Sequence, residues 1–186
     1  MAAGSKPLRA DAARNRDKLL GAATRAFAAR GLDAPLEQIA RDAGVSIGTL
    51  YAHFATREAF FEAILPAQLA ALDDLAEKAL AEPDPWQAFT GFIDGLFALQ
   101  AENHGLNDAL AQRLPLSPAM LEACHAGLRQ ATRILDRAKT AGRLRPDFEP
   151  ADLVPLLVGM SQVLQSEATS PDWRRHLGFF LDGLRA

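Results

Sequence analysis

The stretch Leu36–Arg57, LEQIARDAGVSIGTLYAHFATR, constrains the fold more than any other part of the chain. Leu36, Ile39, Ala40 and Ala43 fall at i, i+3, i+4 and i+7, so they share one face of a short helix. Pro35 suits the first turn of that helix, and Gly44 suits its end, where a left-handed backbone is cheapest without a Cβ. Val45 is the next apolar anchor. Ser46 predicts the cap of a second helix whose inward residues, Leu50 and Phe54, lie four apart. Ile47, Gly48, Thr49, Tyr51 and His53 remain for its outer face. Two short helices joined by a tight glycine turn, the second with a small and polar outer face, make the pattern of a helix-turn-helix whose second helix enters the major groove. A third helix must cover so small a core. Ala10–Arg30 supplies it, with Leu20, Ala23 and Phe27 at i, i+3 and i+7 and Gly31 closing it.

GVSIGTLYAHF followed by ATREAFFEAIL resembles the DNA-binding head of the TetR family of bacterial transcriptional regulators. The preceding RDKLLGAATRAFAARGLDAP is similar to that family's first helix, with Ala22, Ala23, Phe27 and Gly31 at matching places. The likeness covers residues 14–65 and rests on several independent spacings; the remainder resembles the family only in being helical, of suitable length and divergent. It implies an all-α fold of about nine helices, a three-helix head joined by a long helix to a ligand-binding and dimerisation body. On this reading residues 1–9 are a flexible basic arm, 10–57 the helix-turn-helix DNA-binding domain and 58–186 the ligand-binding and dimerisation domain.

Carried over position by position, the resemblance gives the cap Ser46 and the outward Ile47, Gly48, Thr49, Tyr51 and His53 to the DNA surface. Thr49 would hydrogen-bond a base edge or a phosphate, and Tyr51 and His53 would reach phosphate or the groove edge. Arg57 would clamp a phosphate, helped by the backbone amides after the Thr56 cap. Gly48 lets the backbone approach DNA, and Ile47, often polar in the family, offers an apolar contact to a thymine methyl. Leu36 and Glu37 stand where a hydroxyl and a basic reader are common. Leu36 is therefore core or a departure, and Glu37 either accepts from a cytosine amino group or avoids the DNA.

A net charge of −3 argues against a nucleic-acid partner until its distribution is considered. Residues 1–57 carry nine Lys or Arg against five Asp or Glu, whereas residues 58–186 have a net charge of −7. A basic head on an acidic body suits a phosphate-contacting module carried by a separate sensing part. Lys6 and Arg9 of the arm either lie along the DNA backbone or belong to a plain solvated tail. With 49% hydrophobic and 23% charged residues the balance is that of a globular protein. No apolar run is long enough to cross a membrane and the first residues lack an apolar signal centre, so a cytoplasmic location is expected, without a membrane partner. The single Cys124 cannot make an intrachain disulfide.

Beyond the head, Thr56 caps a long helix running to about Ala81, interrupted by Pro66, where a kink would set how the body moves the head. Glu82-Pro83-Asp84-Pro85 breaks the chain, and the helix at about 85–102 carries apolar residues on two faces, as a centrally buried helix does. A short helix near 105–113 follows, then one from Ser117-Pro118 to about Ala141 with Leu121, Cys124, Leu128, Ala131, Leu135 and Ala138 in heptad spacing. The last pair, about 150–165 and 171–185, corresponds by resemblance to the family's four-helix dimer interface, and either packs on a mate or within the monomer. Its candidate contacts are Leu153, Leu156, Leu157, Met160, Leu164, Trp173, Leu177, Phe180, Leu181 and Leu184. An effector cavity lined by Trp86, Phe89, Phe97, Met120, Cys124 and Met160 would hold an apolar or aromatic small molecule oriented by His104, His125 or Gln162; the same set at helical spacing reads equally as core.

Enzyme readings fare poorly. Glu122 and His125 match the Glu-x-x-His pair of carboxylate di-iron bundles, but such a site needs a second pair and two more glutamates. No catalytic residue, metal site or cofactor is assigned. The expected function is a ligand-responsive repressor, a homodimer on a palindromic double-stranded DNA operator, released by a small effector. The alternative is a ligand-binding or interaction protein whose head no longer reads DNA.

Overall fold

The computed structural model describes residues 5–110, 117–166 and 172–186; the side chains of 5–9, 109, 110, 119–121, 123 and 124 fall outside that set. Nine α-helices run through the described residues: α1 (Ser5–Arg30), α2 (Leu36–Asp42), α3 (Ile47–His53), α4 (Arg57–Ala81), α5 (Pro85–Glu102), α6 (His104–Leu110), α7 (Pro118–Thr140), α8 (Leu153–Gln165) and α9 (Trp173–Gly183). Short 3-10 turns, Gly31–Asp33 and Pro150–Asp152, precede α2 and α8. The all-α architecture expected from the sequence is the one observed.

The helix boundaries follow local chemistry. Gly44, at φ +66°, ends α2: Val45 N–H reaches Ala40 C=O at 3.0 Å and Gly44 N–H reaches Arg41 C=O at 3.0 Å, closing the helix with a left-handed cap. Ser46 Oγ accepts from Thr49 N–H at 3.1 Å, and Thr56 Oγ1 from Ala59 N–H at 3.1 Å, so both predicted caps form. Asp84 accepts from the amides of Trp86 and Gln87, with Pro85 in the first turn of α5. The far end of α4 is closed from outside the helix, where the Arg137 guanidinium of α7 donates to Leu80 C=O at 2.8 Å and Glu82 C=O at 2.7 Å. Pro66 does not end α4, which continues through it. Residues 5–9, expected in a flexible arm, belong to α1.

Two hydrophobic cores result. The head core joins Leu19, Ala23 and Phe27 of α1, Ile39 and Ala40 of α2, Leu50 and Phe54, and Phe60, Phe61, Ile64 and Leu65 of α4. Phe27 meets Phe60 and Phe61 edge-on at 5.9 and 5.5 Å between centroids, while Phe54 stacks on Phe60 at 4.2 Å. In α1 the fully buried leucine is Leu19, and Leu20 is only partly covered, one position off the expected stripe. The body core centres on Phe89, Phe92, Ile93, Leu96 and Phe97 of α5, with Ile134, Leu135 and Ala138 of α7 and residues of α8 and α9. Thus α5 is the centrally buried helix its two apolar faces predict. Helix α4 spans both cores, giving Ala76 and Ala79 to the second, so the head packs through Leu65 rather than ending near residue 57.

Candidate nucleic-acid interface and body sites

Helix α3 anchors Leu50, fully buried, and turns its opposite side outward: Ile47 is 38% and Tyr51 49% exposed, with Ser46 and Gly48 also exposed and Thr49 and His53 half-buried. Ser46 Oγ lies 2.9 Å from Thr49 Oγ1, so the two hydroxyls share a hydrogen bond. Leu36 is 6% exposed and belongs to the core, whereas Glu37 is exposed. Thr56 is exposed at the start of α4, and the neighbouring Glu58 carboxyl is held below its usual range, first by the backbone amide and then by the Thr56 hydroxyl. Arg57 has a second task. Its Nη1 donates to the carbonyls of Leu32 and Ala34, so part of the guanidinium expected on a phosphate secures the turn leading into α2.

That turn is held from its other side by the body. Asp108 of α6, 2% exposed, accepts from Leu32 N–H at 2.8 Å through Oδ2 and from Gln165 Nε2 of α8 at 3.1 Å through Oδ1. Gly31 sits at φ +56°, and a Cβ there would collide with the Asp108 carboxylate. Gly105 lies close to Phe27 and Phe61 in the same seam between α6 and the head. Sequence reasoning passed over Asp108 because a lone aspartate in a short helix carries no periodic signal.

Among the described residues, those expected to line an effector cavity divide between the body core and the surface. Phe89, Phe97 and Met160 lie in the body core. Trp86 is half-buried, packs on Phe89 and receives the Arg185 guanidinium at 5.0 Å. His104, His125 and Gln162 are exposed, and His125 pairs with Glu122 at 3.9 Å on the α7 surface. The Met120 and Cys124 side chains lie outside the described residues. An open groove of about 610 Å³ instead runs beside α8 and α9, walled by Phe148, Leu156, Met160, Phe180 and Leu184, with Arg145 and Asp147 at its rim. Those two form a bidentate pair at 2.6 and 2.7 Å, which lowers the Asp147 pKa.

The last two helices need a correction. Leu153, Met160, Leu164, Trp173, Leu177 and Leu184, expected at a dimer surface, are 1–6% exposed within the single chain and pack in its own core. Leu156, Leu157 and Leu181 are partly buried against that core. The outward apolar residues are Val158 at 37%, Phe179 at 62% and Phe180 at 37%, of which the sequence reading named only Phe180. Helix α8 is apolar on more than one side, so spacing alone could not say which faces inward, whereas α9 sets Trp173 and Leu177 on one stripe and leaves Phe179 among its charged residues.

A family model described as bacterial regulatory proteins, tetR family, matches residues 19–64, and one described as transcriptional regulator SbtR-like, C-terminal domain, matches residues 84–186. The regulator UidR of Escherichia coli K12 is 29% identical over 96% of this chain and 93% of its own length. Crystal structures of the TetR regulator SCO0520 from Streptomyces coelicolor and of a TetR regulator from Mycobacterium vanbaalenii are each 36% identical. The first covers 91% of this chain and 98% of that one with a TM-score of 0.61; the second covers 97% and 100% with a TM-score of 0.58. The capped reader helix, the two-core architecture and matches that reach from the head to the last residue together identify the chain as a DNA-binding transcriptional regulator belonging to the TetR family.

Proposed function

We propose that this regulator is a cytoplasmic, ligand-released repressor that binds a palindromic operator as a homodimer. The observation that carries the reading is the outer side of α3: Ile47, Gly48 and Tyr51 are exposed, with Thr49 half-buried beside them, on a helix fixed by its cap and by Leu50. Thr49 meets a base edge or phosphate, Tyr51 and His53 reach phosphate or the groove edge, Ile47 packs on a thymine methyl, and Gly48 admits the backbone. Arg57 supports this surface through the turn it holds, keeping its remaining donors for phosphate. One such head is too small to bind tightly, so a second copy is required, and Val158, Phe179 and Phe180 offer the apolar face for it. A small molecule with an apolar or aromatic body, taken up among the body helices, favours a shape in which α4 holds the heads at the wrong separation.

Selection of bound sequences from random DNA with the purified protein tests this. The expected product is a palindrome whose half-sites lie about 34 Å apart or a multiple of that. Recovery of no enriched sequence, or of a single half-site without symmetry, overturns it.

A further inference from the structure

We propose that Arg16 of α1 is a phosphate clamp of the head, held ready for the DNA backbone by the ring of Phe54 at the end of the reader helix. The inference rests on the chain being a DNA-binding regulator, and it assigns a contact that lies outside the helix-turn-helix itself.

The position follows from the spacing of α1. Leu19, Ala23 and Phe27 lie four residues apart and are buried in the head core; Arg16, three before Leu19, continues the same face one turn beyond that core. There it is exposed. Its guanidinium lies over the ring of Phe54, 5.2 Å from the centroid. Phe54 is the residue at which α3 ends, its N–H bonded to Leu50 C=O at 2.8 Å. It is 4% exposed, and its ring stacks on Phe60 at 4.2 Å, so it offers Arg16 a fixed seat. The half-buried His53 ring lies 6.4 Å from the same ring. Arg16 is therefore tied to the last turn of α3 rather than to its own helix.

Other arginines of the head are engaged or face elsewhere. Arg14 pairs with Asp11, Arg41 donates to Gln38 Oε1 at 2.8 Å, and Arg57 Nη1 donates to the Leu32 and Ala34 carbonyls. Lys18 and Arg25, seven residues apart, ride the outer side of α1, and Arg30 closes its far end. Among the described residues Arg16 meets no carboxylate and no hydrogen-bond acceptor. A guanidinium resting on an aromatic ring keeps its N–H donors free, loses little freedom when it binds, and matches two oxygens of one phosphate. The exposed Tyr51 stands one turn before Phe54, so these donors lie beside the surface that meets DNA. The backbone strand passing the C-terminal end of α3 is the acceptor they fit.

Binding of the full chain to a long duplex of mixed sequence, titrated over a range of salt concentrations, tests the assignment. Arg16→Ala should weaken binding about tenfold and lower the salt slope by about one unit for each head bound. Its Tm should change little, because the side chain is exposed. Arg16→Lys, which keeps the charge and loses the fork, should recover the slope but only part of the affinity. Arg14→Ala is the control: it removes the same charge from a guanidinium already paired with Asp11, and its slope should stay that of the parent chain. An unaltered slope in Arg16→Ala overturns the proposal. So does an equal fall in Arg14→Ala, which means that net charge alone is being read. A Tm lowered by several degrees in Arg16→Ala overturns it as well, since the arginine then serves the fold through Phe54. A duplex of mixed sequence demands no palindrome, so a failed operator selection beside the expected slopes would count against the repressor reading alone.

Discussion

Gly31 and Asp108 compete for one volume. The glycine's positive φ and the missing Cβ leave room for a carboxylate that arrives from another helix and bonds the next residue's amide. Gly31→Ala should therefore destabilise the protein by more than about 1 kcal/mol, measured by urea unfolding, because strain and collision act together. Loss of the Ser46 hydroxyl should cost about 1 kcal/mol, since the Thr49 amide loses its acceptor at the start of α3. Asp84 adds a pH dependence. Its carboxyl is lowered by the Gln87 amide first, with the Trp86 amide and Arg143 contributing, so the ionised form is favoured in the folded chain. The stabilisation is complete above the unfolded carboxylate value and is lost as pH falls through the lower folded one. Asp84→Asn should flatten the acid side of a stability–pH curve recorded by thermal melts.

The short helices of the head were legible because each signal has a local cause: a cap, a glycine at positive φ and an inward residue every turn. Leu50, Phe54, Gly44 and Ser46 sit in the roles their spacing assigns. The C-terminal pair was not legible in the same way. Helix α8 carries Val154 and Val158 off its inward stripe of Leu153, Met160 and Leu164, so spacing leaves its outward face open, and on α9 Phe179 stands outward, apart from the stripe of Trp173 and Leu177. Arg57 marks a second limit, since a basic residue beside a reader helix looks like a phosphate clamp whether or not backbone carbonyls have engaged it. The two roles separate in measurement. Arg57→Ala should lower the stability of the head as well as weaken DNA binding, whereas Tyr51→Ala, at an exposed position, should weaken binding with little change in Tm. Denaturation and salt-dependent titration of both variants check this.

At the scale of the molecule, two cores share α4, and the second contact between them is the seam of α6 with Gly31, Leu32 and Phe27. Apolar surface at α8 and α9 is concentrated at Val158, Phe179 and Phe180, so Phe179→Glu should turn a proposed dimer into monomers in analytical ultracentrifugation and reduce operator affinity steeply. A substitution at Leu177, buried in the body, should instead lower Tm by the several degrees expected of a core cavity.

The seam also bears on how such regulators can be recombined. A head transplanted onto a foreign body would keep its own Gly31 but meet whatever side chain the new α6 presents at the place of Asp108. A bulkier neighbour would wedge the turn open, and an apolar one would leave the Leu32 amide bare. Functional chimeras should therefore be confined to those that transfer this glycine and this aspartate as a matched couple, however well the remaining surfaces fit.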